Sequence, residues 1–141
     1  MSELPVGQPR PTPETERFFT AAAEGRLELP VCNACDLVIW YPRSFCPDCQ
    51  TSEVTWTPMS GSGTVYSYTV TRGGVGGRWR AHLPFVVAYV QLDEGPIVLT
   101  NLVDTDPDAV HVDQRVSVVF ERSEPDEEGA VHAVMRFTGS N

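Results

Sequence analysis

Runs of β-branched, aromatic and other apolar residues recur along the chain after residue 58, the first of them alternating with polar residues, and this pattern predicts β-strands. The segments with this pattern are residues 65–71, 85–92, 96–103, 115–121 and 130–137. Five strands with a break between the third and the fourth match an OB-fold barrel, and an SH3-like barrel is the structural alternative. Gly61 and Gly63 precede the first strand, where closure of a barrel requires a sharp bend.

A single helix is predicted near the N-terminus, after an extended, proline-rich arm at residues 1–11. Thr12 is its predicted cap, Pro13 suits its first position, and Gly25 suits its end. Its apolar stripe consists of Phe18, Phe19, Ala22 and Ala23. Such a stripe packs either on the chain's own domain or on another subunit, and the pattern leaves both alternatives open.

Two pairs of cysteines between the helix and the barrel indicate a metal site. The pairs are Cys32 with Cys35 and Cys46 with Cys49. The two-residue spacer within each pair lets a tight turn direct both sulfurs at one point. Four protein thiolates complete a tetrahedral zinc site without an open position, so the predicted zinc ion is structural.

The cysteine spacing leaves three alternatives to zinc, namely a rubredoxin-like iron site, two disulfides and a vacant site. Zinc ribbons often have glycine after the second cysteine of each pair, whereas Asp36 and Gln50 stand there in this chain. Both tolerate a left-handed backbone less well than glycine does. Between the pairs, Trp40 and Tyr41 lie in an apolar hairpin that either covers the metal site or contacts a partner.

These patterns predict a mainly β fold in three parts. An N-terminal arm and helix occupy residues 1–26, a rubredoxin-like zinc ribbon occupies residues 27–57, and a five-stranded OB-fold occupies residues 58–141. A ribbon of this size has a small core of its own, so the metal is the expected source of its stability.

The composition narrows the classes of function. The formal net charge is -9, and all ten basic residues are arginine. A negative chain repels phosphates, so nucleic acid is not an expected partner, and the absence of lysine excludes Schiff-base chemistry. No apolar run reaches the roughly 18 residues of a membrane span, and the N-terminus lacks the pattern of a secretory signal. We therefore expect a cytoplasmic protein without a membrane segment.

Candidate catalytic groups are sparse. His82, His111 and His132 are dispersed, and none stands beside a serine or a cysteine in a nucleophile motif. Each is typical of a surface or hydrogen-bonded histidine, so no catalytic residue is predicted.

A glycine-rich loop at residues 72–82 is the remaining candidate ligand site. Arg72, Arg78 and Arg80 can contact phosphates, and Trp79 can stack on a ring. Its glycines do not form a phosphate-binding motif, and the alternative is a mobile hairpin tip whose arginines offset an acidic surface.

The order of these features resembles the family of zinc-ribbon/OB-fold acyl-CoA-associated proteins, long catalogued as a domain of unknown function. The two cysteine pairs carry the resemblance together with residues 18–19, 24–27, 41–43, 60–69, 84–88 and 92–95. Members commonly lie beside thiolase-superfamily enzymes. They are small non-catalytic subunits of acyl-transfer complexes, or of thiolase-like aldolases that shorten steroid side chains.

The resemblance implies an accessory subunit that binds and stabilises a thiolase-like enzyme and helps to form its acyl-CoA entrance. The candidate partner contacts are Phe18, Phe19, Trp40 and Tyr41, and the candidate contacts to the CoA phosphates are Arg72, Arg78 and Arg80. A nucleic-acid-binding module is the main alternative, because ribbons and OB barrels both serve that role. A free-standing esterase or hydratase is a third hypothesis.

Overall fold

The computed structural model describes residues 3–140, with one α-helix near the N-terminus and β-strands along most of the remaining chain. Helix α1 spans Glu16–Ala23, and the strands are β1 (Glu28–Cys32), β2 (Val54–Pro58), β3 (Ser62–Thr71), β4 (Phe85–Leu92), β5 (Ile97–Val103), β6 (Arg115–Arg122) and β7 (Ala133–Gly139). A 3₁₀ helix, Gly77–His82, lies in the connection between β3 and β4. Each predicted barrel strand corresponds to one of β3 to β7, and the predicted mainly β fold is confirmed.

Helix α1 begins four residues after its predicted cap. Residues 13–15 form a turn instead, in which the Thr12 carbonyl accepts the N–H groups of Thr15 and Glu16 at 3.0 and 2.9 Å. The predicted end is confirmed, because Gly25 has a φ of +80° and a left-handed residue there closes a helix with least strain when it is glycine. None of the helices described for residues 3–140 has the length and apolar character that crossing a membrane requires.

The apolar stripe of α1 packs within the chain. Phe18 is 3% exposed and belongs to the core cluster that also contains Leu27 and Leu29 of the ribbon and the buried residues of the barrel. Of the two alternatives for the stripe, packing on the chain's own fold is therefore the one observed. Phe18 was predicted to contact a partner, and its ring offers little surface for such a contact in this structure.

The first and last segments of the ribbon pair as a two-stranded sheet. Strands β1 and β2 pair antiparallel from Glu28 opposite Pro58 to Cys32 opposite Val54. A single further bridge joins Val31 to Val38. This sheet therefore places Cys32, the first of the four cysteines, at the end of a regular ladder.

The remaining strands close a barrel in the order β3-β4-β5-β7-β6. Strand β3 pairs antiparallel with β4 along most of its length and with β6 at its N-terminal end. The one parallel contact joins β5 to β7, and β6 separates these two strands along the chain. This closed five-stranded barrel confirms the predicted OB-fold.

Every second side chain of β4 points into the barrel and helps to fill its interior. Val86, Ala88, Val90 and Leu92 are all buried, and the residues between them face outward. Phe137 of β7 is fully buried in the same core.

Gly63 stands at the crowded point where β3 lies between β4 and β6. A methyl group there would lie 2.6 Å from the Gln91 carbonyl oxygen and 2.8 Å from a methyl carbon of Val90. We expect Gly63→Ala to lower the free energy of unfolding by about 2 kcal/mol, because the backbone must move to accept the new group. Urea denaturation in excess zinc measures the change.

The control for this prediction is Gly73→Ala, because no heavy atom lies within 4 Å of the added carbon. Its effect should stay within about 0.5 kcal/mol. Equal stability of the two variants would contradict the assignment of Gly63 to a closure point of the barrel.

Candidate metal centre and partner surface

The two cysteine pairs lie in turns with the same backbone hydrogen bonds. In the first, the carbonyl of Cys32 accepts the N–H of Asp36 at 3.0 Å. In the second, the carbonyl of Cys46 accepts the N–H of Gln50 at 2.9 Å. The repetition explains why equal spacing in the sequence produces two equivalent arms of one site.

The four sulfur atoms converge at one point. All of them lie within 4.8 Å of one another. The Cys32 and Cys49 sulfurs are 3.4 Å apart, and the Cys35 and Cys46 sulfurs are 3.6 Å apart. A tetrahedral zinc site with Zn–S bonds of about 2.3 Å has sulfurs about 3.8 Å apart, whereas a disulfide requires about 2.05 Å. The cysteine arrangement fits a metal ion, and the disulfide alternative is excluded.

The residues that follow each pair adopt the backbone that glycine provides in many ribbons. Asp36 has a φ of +60° and Gln50 has a φ of +62°. A non-glycine residue in this region costs roughly 1 to 2 kcal/mol. The hydrogen bonds of the two turns hold these residues there, so the missing glycines do not prevent the four sulfurs from converging.

Hydrogen bonds shift the pKa values of Cys32 and Cys35 in opposite directions. Donation by the N–H of Cys35, followed by that of Ala34, lowers the pKa of Cys32 to about 7 against the opposing effect of burial. The N–H of Leu37 lowers the pKa of Cys35, but the thiols of Cys32 and Cys46 outweigh it and raise this pKa to about 12. A divalent cation replaces these protons when it binds, so zinc binding releases protons and weakens as the pH falls.

The apolar cover of the site comes from alternate residues of the hairpin between the pairs. Ile39 is 1% exposed and packs with Cys32 and Cys46, and Leu37 joins the same cluster. Trp40 packs instead against the barrel core. The hypothesis that Trp40 covers the metal is therefore corrected, because its neighbours in the sequence cover it.

Trp40 connects the ribbon to helix α1. Its ring lies edge-on to Phe18, with 5.6 Å between ring centroids, and edge-on to Tyr41 at 5.1 Å. Phe19 is half-buried and lies 5.1 Å from Phe18. These rings bring all four candidate partner contacts into one aromatic cluster. Only the outer edge of that cluster is available to another protein.

Tyr41 forms that outer edge. It is 44% exposed, and Phe45 of the same hairpin is 43% exposed. Both line a cleft of about 400 Å³ with Arg10 and Glu14 from the segment before α1. Phe45 was not among the predicted contacts, although its place between the cysteine pairs could have indicated it.

A larger apolar surface lies on the outside of the barrel. Tyr89 is 47% exposed, and its partner across the ladder, Leu99, is 57% exposed. We define the barrel face as Val87, Tyr89, Ile97 and Leu99. Contiguous exposed apolar side chains are typical of interaction sites.

An aromatic cleft of about 650 Å³ adjoins the barrel face. Its walls include Trp79 from the 3₁₀ helix and Phe85 from β4, whose ring centroids are 4.8 Å apart. Val87 and Leu99 line both the cleft and the barrel face. The glycine-rich loop therefore supplies one wall of this cleft through Trp79.

The three arginines of that loop differ in their surroundings. Arg72 donates a hydrogen bond to Asp108 at 3.0 Å. Arg78 and Arg80 are exposed, and no carboxylate within residues 3–140 forms an ion pair with either of them. Arg78 and Arg80 are thus the two candidate phosphate contacts without an ionic partner in the described part of the chain.

The histidines do not assemble a nucleophile. The His132 ring lies 3.5 Å from the Asp126 carboxylate, and the His111 ring lies 3.2 Å from the Ala109 carbonyl oxygen. Among the hydrogen bonds of residues 3–140, none joins a histidine ring to a serine hydroxyl or a cysteine thiol.

Two family models match consecutive parts of the chain. The ChsH2 rubredoxin-like zinc ribbon domain matches residues 19–55, and the ChsH2 C-terminal OB-fold domain matches residues 56–121. The first match includes the four convergent cysteines. The predicted structural zinc is confirmed, and all four of its ligand positions are protein sulfurs that leave no open coordination site.

Loss of one ligand should release the metal. We expect Cys46→Ser to abolish stoichiometric zinc binding, because a hydroxyl is a poor replacement for a buried thiolate. Elemental analysis of the purified protein measures this. Asp48→Ser is the control within the same turn, because Asp48 is exposed and is not a ligand. Full zinc content in Cys46→Ser would contradict the four-cysteine site.

Several known proteins are similar to this chain. It is 32% identical over 121 residues to the probable enoyl-CoA hydratase alpha subunit of Thermomonospora curvata, which covers 83% of the chain but only 37% of that subunit. It is 32% identical over 108 residues to a DUF35 domain-containing scaffold protein of Methanothermobacter thermautotrophicus, covering 75% of the chain and 80% of that protein. The solved Ltp2-ChsH2(DUF35) aldolase matches with a TM-score of 0.79 and 29% identity, over 94% of this chain and 98% of the matched one. The chain therefore belongs to the ChsH2/DUF35 family of zinc-ribbon and OB-fold proteins.

Proposed function

We propose that this chain is a non-catalytic accessory subunit that binds a thiolase-superfamily enzyme, stabilises it and helps to form its acyl-CoA entrance. The observation that carries the proposal is the match to the ChsH2(DUF35) chain of the Ltp2-ChsH2 aldolase, which extends over 94% of this chain. The name of the archaeal relative, a scaffold protein, agrees with a role in assembly.

The chemistry available on the chain supports a non-catalytic role. The four cysteines are zinc ligands, so none of them serves as a nucleophile. The His132 ring lies 3.5 Å from the Asp126 carboxylate, but the nearby Ser123 hydroxyl accepts the main-chain N–H of His132 at 3.0 Å, and no hydrogen bond among residues 3–140 joins that hydroxyl to the ring. The catalytic cysteine and general base would then belong to the partner enzyme.

The barrel face is the surface best suited to an enzyme partner. Interface centres are poor in charge and rich in aromatic residues, and Tyr89 and Leu99 meet that description at the middle of a ladder. The charged residues of the neighbouring β4–β5 turn are occupied, since Asp93 pairs with Arg115 and Glu94 accepts a hydrogen bond from Ser60. Tyr41 and Phe45 would form a second, smaller contact.

The acyl-CoA entrance is proposed at the aromatic cleft. Residues 54–92 contain three arginines and no acidic residue, although the whole chain has a net charge of -9. The exposed guanidinium groups of Arg78 and Arg80 flank Trp79 in the sequence, on the 3₁₀ helix that supplies a wall of the cleft. Such a set suits the anionic phosphates of CoA and the ring of its adenine.

Co-purification tests the partner. We expect the tagged chain to isolate a thiolase-superfamily subunit from its native host, in a complex of fixed stoichiometry by light scattering. Tyr89→Arg should weaken this complex at least about tenfold, because it places a charge at the centre of the barrel face. Zinc content and unfolding free energy should stay unchanged.

Val112→Arg is the matched control, because Val112 is an exposed apolar residue, 52% accessible, outside the barrel face. Its affinity for the enzyme should equal that of the unmodified chain. Isolation of a monomer without any such enzyme, or equal binding by the two variants, would refute the proposed docking.

Kinetics of the complex test the CoA contact. We expect Arg78→Ala combined with Arg80→Ala to raise KM for the acyl-CoA about tenfold with little change in kcat, because phosphate contacts bind substrate and transition state alike. Arg122→Ala, at an exposed arginine of β6 outside both proposed contacts, should leave KM unchanged. An unaltered KM in the double variant would remove these arginines from the entrance.

A further inference from the structure

A buried arginine on β7 lies between three separate parts of the molecule. Arg136 is 5% exposed, and its Nη1 is 2.5 Å from a carboxylate oxygen of Glu121, which is 4% exposed, on β6. A buried charge is strongly unfavourable unless it is paired and its hydrogen-bond donors are satisfied. Glu121 meets only part of that requirement, because a guanidinium has five N–H groups.

The N-terminal arm satisfies further donors. Nη1 of Arg136 donates to the carbonyl of Leu4 at 3.3 Å, and Nη2 donates to the carbonyl of Pro5 at 2.6 Å. Pro5 is itself buried. The arm, more than 125 residues away along the chain, is thus fixed to the barrel by main-chain acceptors on a single side chain.

The same guanidinium lies over a ring that forms a wall of the aromatic cleft. The central carbon of the Arg136 guanidinium lies 5.9 Å from the centroid of the Trp79 ring, within the range of a cation–π contact. Trp79 in turn contacts Phe85. Leu4 of the arm and Phe85 also line one neighbouring cavity of about 410 Å³.

We infer that Arg136 is a positioning residue that holds the Trp79 wall of the aromatic cleft and links its position to the seating of the N-terminal arm. A guanidinium can donate to Glu121 and the arm while it also contacts the Trp79 ring, whereas the single ammonium group of a lysine lacks this planar set of donors. Release of the arm removes two acceptors from the guanidinium, and the cation then moves relative to the indole. The consequence for substrate entry rests on the proposed function, whereas the linkage itself does not.

Two variants of the full chain test the linkage. Arg136→Lys keeps the positive charge beside Glu121 but replaces the planar fork with a single ammonium group. A variant without residues 1–6 keeps Arg136 and removes the acceptors of the arm, and it remains informative if the lysine variant does not fold. In ¹⁵N-labelled protein, the indole N–H signals of Trp40, Trp56 and Trp79 report on three sites at once, with the Trp79 signal assigned by Trp79→Phe.

We expect the Trp79 signal to shift and broaden in both variants, and the Trp40 and Trp56 signals to stay in place. Arg122→Lys is the control, because Arg122 is an exposed arginine on β6 that donates to the Ala23 carbonyl instead. A Trp79 signal that does not move in a folded variant, or three signals that move together, would overturn the inference. Because the readout uses the isolated chain, its failure is distinct from failure to bind an enzyme.

Discussion

The convergence of four sulfurs on one metal ion is the constraint on which the rest of the N-terminal half depends. The cluster around the site contains Ile39 as its one fully buried large side chain besides the cysteines, too little apolar area to hold two turns and a hairpin together in water. The metal fixes the hairpin between the two cysteine pairs. Trp40 then lies on the side of that hairpin away from the metal, and its ring packs on Phe18. Phe18 belongs to the barrel core, so metal, helix and barrel share one continuous packing arrangement.

Much of this arrangement could be predicted because it follows from local periodicity. Strand β4 occupies the residues that its run of β-branched and aromatic residues indicated, and the cysteine spacing alone located the metal. A two-residue period, applied to Leu37 and Ile39 against Val38 and Trp40, would also have separated the residues that cover the zinc from those that join the barrel core. The start of α1 was less predictable, because a threonine and a proline suit a turn as well as a first helical residue.

The partner surface could not be predicted in this way. Alternation indicates which side of a strand faces outward, but neighbouring strands must be in register before Tyr89 and Leu99 become one patch. Phe18 and Tyr41 looked equivalent as aromatic residues of the N-terminal half, and only the packing distinguishes a core ring from an exposed one. The contacts of Arg136 join segments at opposite ends of the chain, for which a single sequence contains no signal.

The segment without acidic residues, 54–92, contains β3, the glycine-rich loop and β4. All nineteen acidic residues therefore lie elsewhere in the sequence, and Arg78 and Arg80 of the loop form no ion pair among residues 3–140. Such guanidinium groups create a local positive potential on a chain whose net charge is negative. An anionic ligand would then be attracted to this loop from a distance, and its association would slow as ionic strength rises.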